Sequence, residues 1–240
     1  MGWGQSMTEP EYMSLGNIPL LADLPEKALS DLAKRCSWRT FVPGEQIIDR
    51  KSDSCDLYFI VEGRSRVVNF SLSGFEVTFD DREDGVYFGE LAALDGEPRS
   101  ANVVALENTV VACLSQEGFH DMLLTYPQVA VRLLMNMAKI VRISTNRIMD
   151  LSTLGANNRV HAELLRLAGS NIQDDNTARI SPIPIHGDIA SRVSTTRETV
   201  ARVFSDLTRE GTLKRDRDAL IILDVEQLND IVEQVRGEGD

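Results

Sequence analysis

Apolar residues along the chain change their spacing several times, and each change predicts a different kind of element. From Asn17 to Cys36, Ile18, Leu21, Leu24, Leu29 and Leu32 fall around a helical period. Pro25 stands where a helix can begin, because its fixed φ and missing N–H suit a first turn. Between Thr40 and Leu114 the pattern shortens to β-rich runs, such as LYFIV at 57–61 and RVVNF at 66–70. Gly44, Gly63, Gly74 and Gly85 punctuate these runs, and turns at this density predict a small barrel or roll. Periodicity alone leaves an antiparallel sandwich as the alternative.

Past Pro127 about 25 residues pass without Gly or Pro. Val131, Leu134, Ala138, Val141, Thr145, Ile148 and Ser152 then keep a 3-4-3-4 spacing, which is a heptad seam. A neighbouring row of Leu133, Met137, Ile140 and Ser144 can pack on the roll while the seam meets a partner helix. A long helix with two such faces predicts a dimer; the alternative is a core helix of a monomer. Gly155-Ala156-Asn157-Asn158 breaks the pattern and reads as a hinge. Helical patterns follow at 159–168, roughly 186–193 and 196–210, and then a hairpin-like basic end, LKRDRDALIIL, at 213–223.

Within that last region, HGDIASRV-STT-RETVARVFSDLTREG reads as helix, turn, helix. Ile189, Ala190 and Val193 line the inner face of the first helix, and Val200, Val203 or Phe204, and Leu207 that of the second. Thr196 is placed to cap the second helix, which leaves Arg197, Glu198 and Arg202 on its polar side. A helix that enters the major groove needs such residues near its N-terminus: Arg can donate two bonds to guanine, and Glu can accept from cytosine. The alternative is a helical hairpin with solvated charges.

Charge and composition narrow the picture further. The formal charge is -12, so nonspecific coating of nucleic acid by the whole chain is excluded and any DNA-binding face must be local. Residues 189–217 hold seven Arg or Lys against four Asp or Glu, a local balance of 7 − 4 = +3. No apolar run reaches the roughly 20 residues of a membrane span, and no basic-then-apolar signal opens the chain, so the expectation is a soluble cytoplasmic protein. Cys36, Cys55 and Cys113 stand apart, which predicts packing rather than disulfides or a metal knuckle. MGWGQSMTEP has no periodicity and reads as a flexible lead, with Met7 as an alternative start.

The stretch FGELAALDGEPRSA at 88–101 and the stretch TRETVAR at 196–202 carry a resemblance to a known family. The chain, from about Ile18 to Leu223, resembles the cyclic-AMP receptor protein (Crp/Fnr) family of bacterial transcription regulators. The first stretch is similar to its phosphate-binding cassette, the second to its recognition helix. The resemblance implies an α+β fold with a flexible lead at 1–16 and a cyclic-nucleotide-binding β-roll at 17–126. A dimerisation helix at 127–154 and a C-terminal winged helix-turn-helix at 155–240 follow. It implies an allosteric homodimer, joined through 127–152, that binds cyclic AMP or cyclic GMP and double-stranded DNA and meets RNA polymerase. No metal, haem, membrane or enzymatic activity is expected.

Gly89, Glu90, Leu91, Arg99, Ser100, Ala101, Ser144 and Thr145 match the family's nucleotide-binding positions. Thr196, Arg197, Glu198, Thr199, Arg202 and Lys214 match its DNA-binding positions. Side-chain chemistry agrees with the cassette: a guanidinium at Arg99 suits a cyclic phosphate, and a carboxylate at Glu90 suits a ribose hydroxyl. Gly89 leaves room for close backbone approach, and Ser100 with the Ala101 amide can complete a phosphate cradle. Ser144 and Thr145 correspond to hydroxyls that meet the purine in cyclic-AMP-binding members.

The chain departs from the family pattern at Ile140, where some cyclic-AMP-responsive members carry Arg, and at Lys51-Ser52, where Gly-Asp is common. Ser100 accords with cyclic AMP, while Thr there accompanies cyclic-GMP preference in related domains. A constitutive regulator, or one with another effector, is the alternative within the family. A redox or haem sensor would need clustered cysteines or a histidine among the roll strands, yet His120, His161 and His186 all lie outside the β-rich run from Thr40 to Leu114. A metal-dependent enzyme would need His and carboxylate ligands converging in the barrel. A signalling subunit that ignores DNA would leave 186–217 without a purpose.

Overall fold

The run LYFIV carries no polar alternation because the strand it forms is covered on both faces. The computed structural model describes residues 14–72, 74 and 76–237. A 3-10 turn at Pro19–Leu21 leads into α1 (Glu26–Arg35), with Pro25 as its N-cap. Eight strands follow: β1 (Ser37–Phe41), β2 (Gln46–Ile48), β3 (Leu57–Glu62), β4 (Ser65–Phe70), β5 (Glu76–Arg82), β6 (Tyr87–Phe88), then, after the short helix α2 (Glu90–Asp95), β7 (Asn102–Ala105) and β8 (Thr109–Leu114). They form two four-stranded sheets, ordered β1-β8-β3-β6 and β2-β7-β4-β5, which make the expected β-roll. In β3, Tyr58 and Ile60 face the roll interior with Phe41, Phe88, Val103 and Val111. Leu57 and Phe59 face the opposite way, into a cluster with Leu21, Leu114 and Phe119. The period of two thus serves two cores at once.

All four punctuating glycines, Gly44, Gly63, Gly74 and Gly85, have positive φ. Gly63 is doubly constrained, since a Cβ there would lie 2.3 Å from the Asn108 carbonyl oxygen. Leu15 is buried in the same cluster as Leu21, so the expected flexible lead through residue 16 overlaps the core; residues 1–13 lie outside the described residues.

Helix α3 (Gln116–Thr125) is capped by Ser115, whose hydroxyl accepts from the Gly118 N–H at 3.2 Å. Helix α4 (Pro127–Thr153) has 27 residues, about 40 Å of length. Val129 and Leu133 are buried in the cluster around Leu57 and Phe59, and Met137 packs against it. The seam row is bare: Val131, Leu134, Val141 and Ile148 are each more than half exposed.

Contacts divide the chain into two units, one running up to Asn69 together with Phe79–Ala138, the other comprising Phe70–Thr78 together with Lys139 onward. The second unit holds α5 (Ala156–Ala168), β9 (Ala178–Ile180), α6 (His186–Arg192), α7 (Arg197–Arg209), β10 (Leu213–Asp216), β11 (Ala219–Ile222) and α8 (Val225–Gly237). Strands pair antiparallel in the order β10-β11-β9, and Arg217, with φ 46°, turns the basic hairpin. Val160, Leu164, Ile189, Val200, Val203, Leu207, Leu213 and Leu228 share its core. The architecture is therefore a β-roll, a long helix and a winged helix-turn-helix.

Candidate functional site

Chain direction at the cassette is set by Gly89, which turns from β6 into α2 with φ 82°. A Cβ at this position would stand 2.7 Å from Arg99 Nη1 and 3.0 Å from the Asp56 carbonyl oxygen, so both the turn and the packing require glycine. Arg99 is 4% exposed. Its Nη1 donates to the Gly89 carbonyl at 3.0 Å, and its Nη2 donates to the Asp56 carbonyl at 2.9 Å and to Ser54 Oγ at 3.1 Å. Its Nε is buried without a hydrogen-bond partner. The guanidinium lies 5.6 Å from the Tyr58 ring centre, and Tyr58 stacks on Phe88 at 5.1 Å. A cation is thus held by carbonyls, a hydroxyl and a ring, and no carboxylate among the described residues ion-pairs with it.

Glu90 is also buried, at 8% exposure. Burial raises its carboxyl above the usual carboxylate range, opposed by its own backbone N–H and by the positive charges of Arg82 and Arg99. Leu91 is 44% exposed and Ala101 is buried. Ser100 is exposed, and its carbonyl accepts from Asn69 Nδ2 at 3.1 Å. The structure therefore brings Gly89, Glu90, Arg99, Ser100 and Ala101 into one cassette. Ser144 and Thr145 are exposed on the half of α4 that belongs to the second unit, and the Thr145 hydroxyl donates to the Val141 carbonyl at 3.0 Å.

In the second unit, Thr196 caps α7 as its residue type suggests, its Oγ1 accepting from the Thr199 N–H at 3.3 Å. Glu198 is held below the ordinary carboxylate range by its own backbone N–H and by the Thr196 hydroxyl. Arg197, Glu198 and Arg202 are exposed on α7, and Lys214 is exposed on β10. Arg202 also donates to Asn157 Oδ1 on α5, at 3.4 Å. Arg159 braces the turn before α7: its Nε donates to the Val193 carbonyl at 2.8 Å, its Nη2 to Ser194 at 3.1 Å and its Nη1 to Leu154 at 2.9 Å. The turn before α7 is thereby tied to Leu154, the residue before Gly155.

Residues 38–126 match the family described as Cyclic nucleotide-binding domain, and residues 158–231 match the Crp-like helix-turn-helix domain. The cyclic AMP receptor protein of Thermus thermophilus is 31% identical over 176 residues, covering 73% of this chain and 79% of that protein. The chain belongs to the Crp/Fnr family. Other Crp/Fnr proteins match over greater length: a CRP-like cAMP-activated global transcriptional regulator of Mycobacterium tuberculosis is 23% identical over 215 residues, covering 89% of this chain and 96% of that one. A solved CooA mutant from Carboxydothermus hydrogenoformans shares the fold, with a TM-score of 0.78 at 20% identity over 92% of this chain and 99% of that one. As a Crp/Fnr member the chain is a cyclic-nucleotide-binding transcription regulator with a DNA-binding domain, in a family of regulators rather than enzymes.

Several features of this Crp/Fnr cassette were not legible in the sequence. Arg99 uses three of its five N–H donors on the protein, which leaves the Nε–H and one Nη1–H open. Ser54, the Asp56 carbonyl and Tyr58 hold it in place, and the charge of Arg82 acts on Glu90 more strongly than that of Arg99. Only Tyr58 had a signal, its inward phase in β3. Among the described residues no group of three or more His, Cys, Asp or Glu is placed to hold a metal ion. Burial pushes the Cys36 thiol up to about 12 and that of Cys113 up to about 11, as packing groups rather than reactive thiols. No helix among the described residues is long and apolar enough to cross a membrane.

Proposed function

We propose that the chain is a homodimeric, cytoplasmic bacterial regulator gated by a cyclic nucleotide, with cyclic AMP favoured over cyclic GMP, that binds a palindromic promoter site. One observation carries the ligand reading: Arg99 is a buried cation without an anionic partner, and its Nε–H is buried without a hydrogen-bond partner. An unpaired buried charge costs several kcal/mol, and an entering anion relieves that cost. The cyclic phosphate takes the Arg99 Nε–H, with Ser100 and the Ala101 amide beside it. The ribose hydroxyl donates to Glu90, and Leu91 borders the sugar. Ser144 and Thr145 meet the base. The names of the relatives from Thermus thermophilus and Mycobacterium tuberculosis support cyclic AMP as the effector.

The bare row on α4 supports the dimer, because Val131, Leu134, Val141 and Ile148 at heptad spacing form the seam that a second copy covers. A base contact at Ser144 and Thr145 places ligand next to that seam, so ligand shifts the balance between two dimer arrangements that space the recognition helices differently. Arg197, Glu198 and Arg202 then read base edges, Thr196, Thr199 and Lys214 meet the backbone, and RNA polymerase is the further partner.

The deciding experiment is a titration of palindromic duplex carrying inverted GTGA half-sites, at fixed salt, with and without each nucleotide, beside calorimetry of the protein alone. The expected result is heat with cyclic AMP and tighter duplex binding in its presence. Duplex binding that is tight without nucleotide, together with no heat and no shift in melting temperature, favours a constitutive regulator or another effector.

A further inference from the structure

Glycine inside a helix is destabilising by about 0.5–1 kcal/mol relative to alanine, so its presence calls for a reason. In α6 the sequence runs HGDIASR, and Gly187 is the second residue. Its φ is not among the positive values, so the backbone does not require glycine there. Space does. A Cβ built on Gly187 would stand 2.9 Å from Arg197 Nε, 3.2 Å from Nη2 and 3.3 Å from Cζ. The three nearest atoms all belong to one guanidinium. Arg197 is the first residue of α7, where a positive charge opposes the helix dipole, so helix stability does not account for it either. The two residues explain each other: the bare backbone at 187 is the floor on which the Arg197 guanidinium rests.

We propose that Gly187 is a specificity-determining positioning residue, which sets the direction of the Arg197 guanidinium toward a base edge by leaving the space a side chain would fill. This rests on the reading of Arg197 as a base-contacting residue. A bidentate contact to guanine needs both donors in the base plane, and a lateral push of the guanidinium spoils both bonds while leaving its charge in the groove. A side chain at 187 therefore lowers discrimination between bases more than it lowers binding to DNA at large. The guanidinium is the far end of a flexible side chain, so it can move aside without unfolding the domain.

The test compares wild type, Gly187→Ala, Arg197→Ala and the double variant. Each is titrated, with cyclic AMP present and at one salt concentration, against palindromic duplexes with inverted GTGA half-sites in which each half-site base is replaced in turn, and against random duplex. The expected result for Gly187→Ala is a melting temperature equal to or above that of wild type. Preference at one half-site position falls by about fivefold or more, within the roughly 5–150-fold span of a lost bidentate pair, and affinity for random duplex holds. In the Arg197→Ala background Gly187→Ala changes preference no further. An equal loss on every duplex would mean that Gly187 serves phosphate approach and would overturn the proposal, as would the same loss of preference in the Arg197→Ala background. If Arg197→Ala alone leaves every base preference intact, the base-reading role of Arg197 fails first, and that single variant shows it.

Discussion

Glu90 and Arg99 are opposite charges buried in one short cassette, and neither neutralises the other by direct pairing. Their settings lead to separate expectations. Burial raises the folded-state pKa of Glu90 above its unfolded value near 4.5, so the folded chain holds that proton more readily than the unfolded one. Stability from this group is then greatest below the unfolded value and declines as pH rises through the raised one. Glu90→Gln is expected to raise the melting temperature at pH 7 and flatten its pH dependence, while weakening nucleotide binding; thermal melts over pH 4–8 alongside calorimetry check both. For Arg99 the neighbour to remove is Ser54. It accepts from Nη2 at 3.1 Å and stands 3.3 Å from the Ser52 hydroxyl, which itself donates to the Asp49 carbonyl at 2.8 Å. The Lys51-Ser52 departure from the family pattern thus feeds a hydroxyl chain that ends on the cation. Ser54→Ala is expected to weaken cyclic AMP binding by ~2–10-fold, the worth of one hydrogen bond, and Ser54→Thr to restore it. Loss in both variants would show that the loop, rather than the hydroxyl, matters.

At the scale of elements, α4 bears two different faces. Leu133 and Met137 are spent on the core of the first unit, whereas Leu134 and Val141 are 67% and 63% exposed. Val141→Asp puts a charge in the proposed seam and is expected to give a monomer by sedimentation, with the melting temperature little changed at low protein concentration. A buried charge network fixes the far end of the same helix. Asp150 is 5% exposed and accepts from Arg166 Nη2 on α5 at 3.1 Å and from Arg236 Nη2 on α8 at 2.6 Å. Arg166 also bonds Glu163, which is fully buried with Arg192 of α6 at 3.7 Å. Removing the central anion leaves two arginines that can reach solvent, so Asp150→Asn is expected to cost about 1–3 kcal/mol, below the 3–5 of a sealed pair. Urea denaturation checks it. Helix α8 itself had a readable signal, with Val225, Leu228, Val232 and Val235 at helical spacing.

For the whole molecule, a net charge of -12 coexists with a local excess of positive charge over residues 189–217. Long-range attraction to DNA is therefore weak, and affinity depends on local contacts that displace counterions. A symmetric dimer is expected to prefer half-sites about one helical turn, roughly 34 Å, apart. Lys214→Ala should weaken all duplexes alike and reduce the salt slope of log K by about 1, where Arg197→Ala should act on one position; titrations at several salt concentrations separate the two. Most of the fold was legible because its signals are local. Turn glycines need positive φ, a strand shows a period of two, a helix a period near 3.6, and Thr196 caps α7 through a hydroxyl only three residues from its partner. Those local rules determined the strands, the long helix and the helix-turn-helix, while the family resemblance chose the roll over a sandwich and located the cassette. Tertiary structure alone decided which groups hold the functional side chains: Ser54 and Asp56 on Arg99, Arg82 near Glu90, Arg159 across the recognition turn and Gly187 beneath Arg197. Apart from Arg82 and Glu90, these partners lie from 10 to some 45 residues apart in the chain, and no periodic rule relates residues that meet only because two elements have packed.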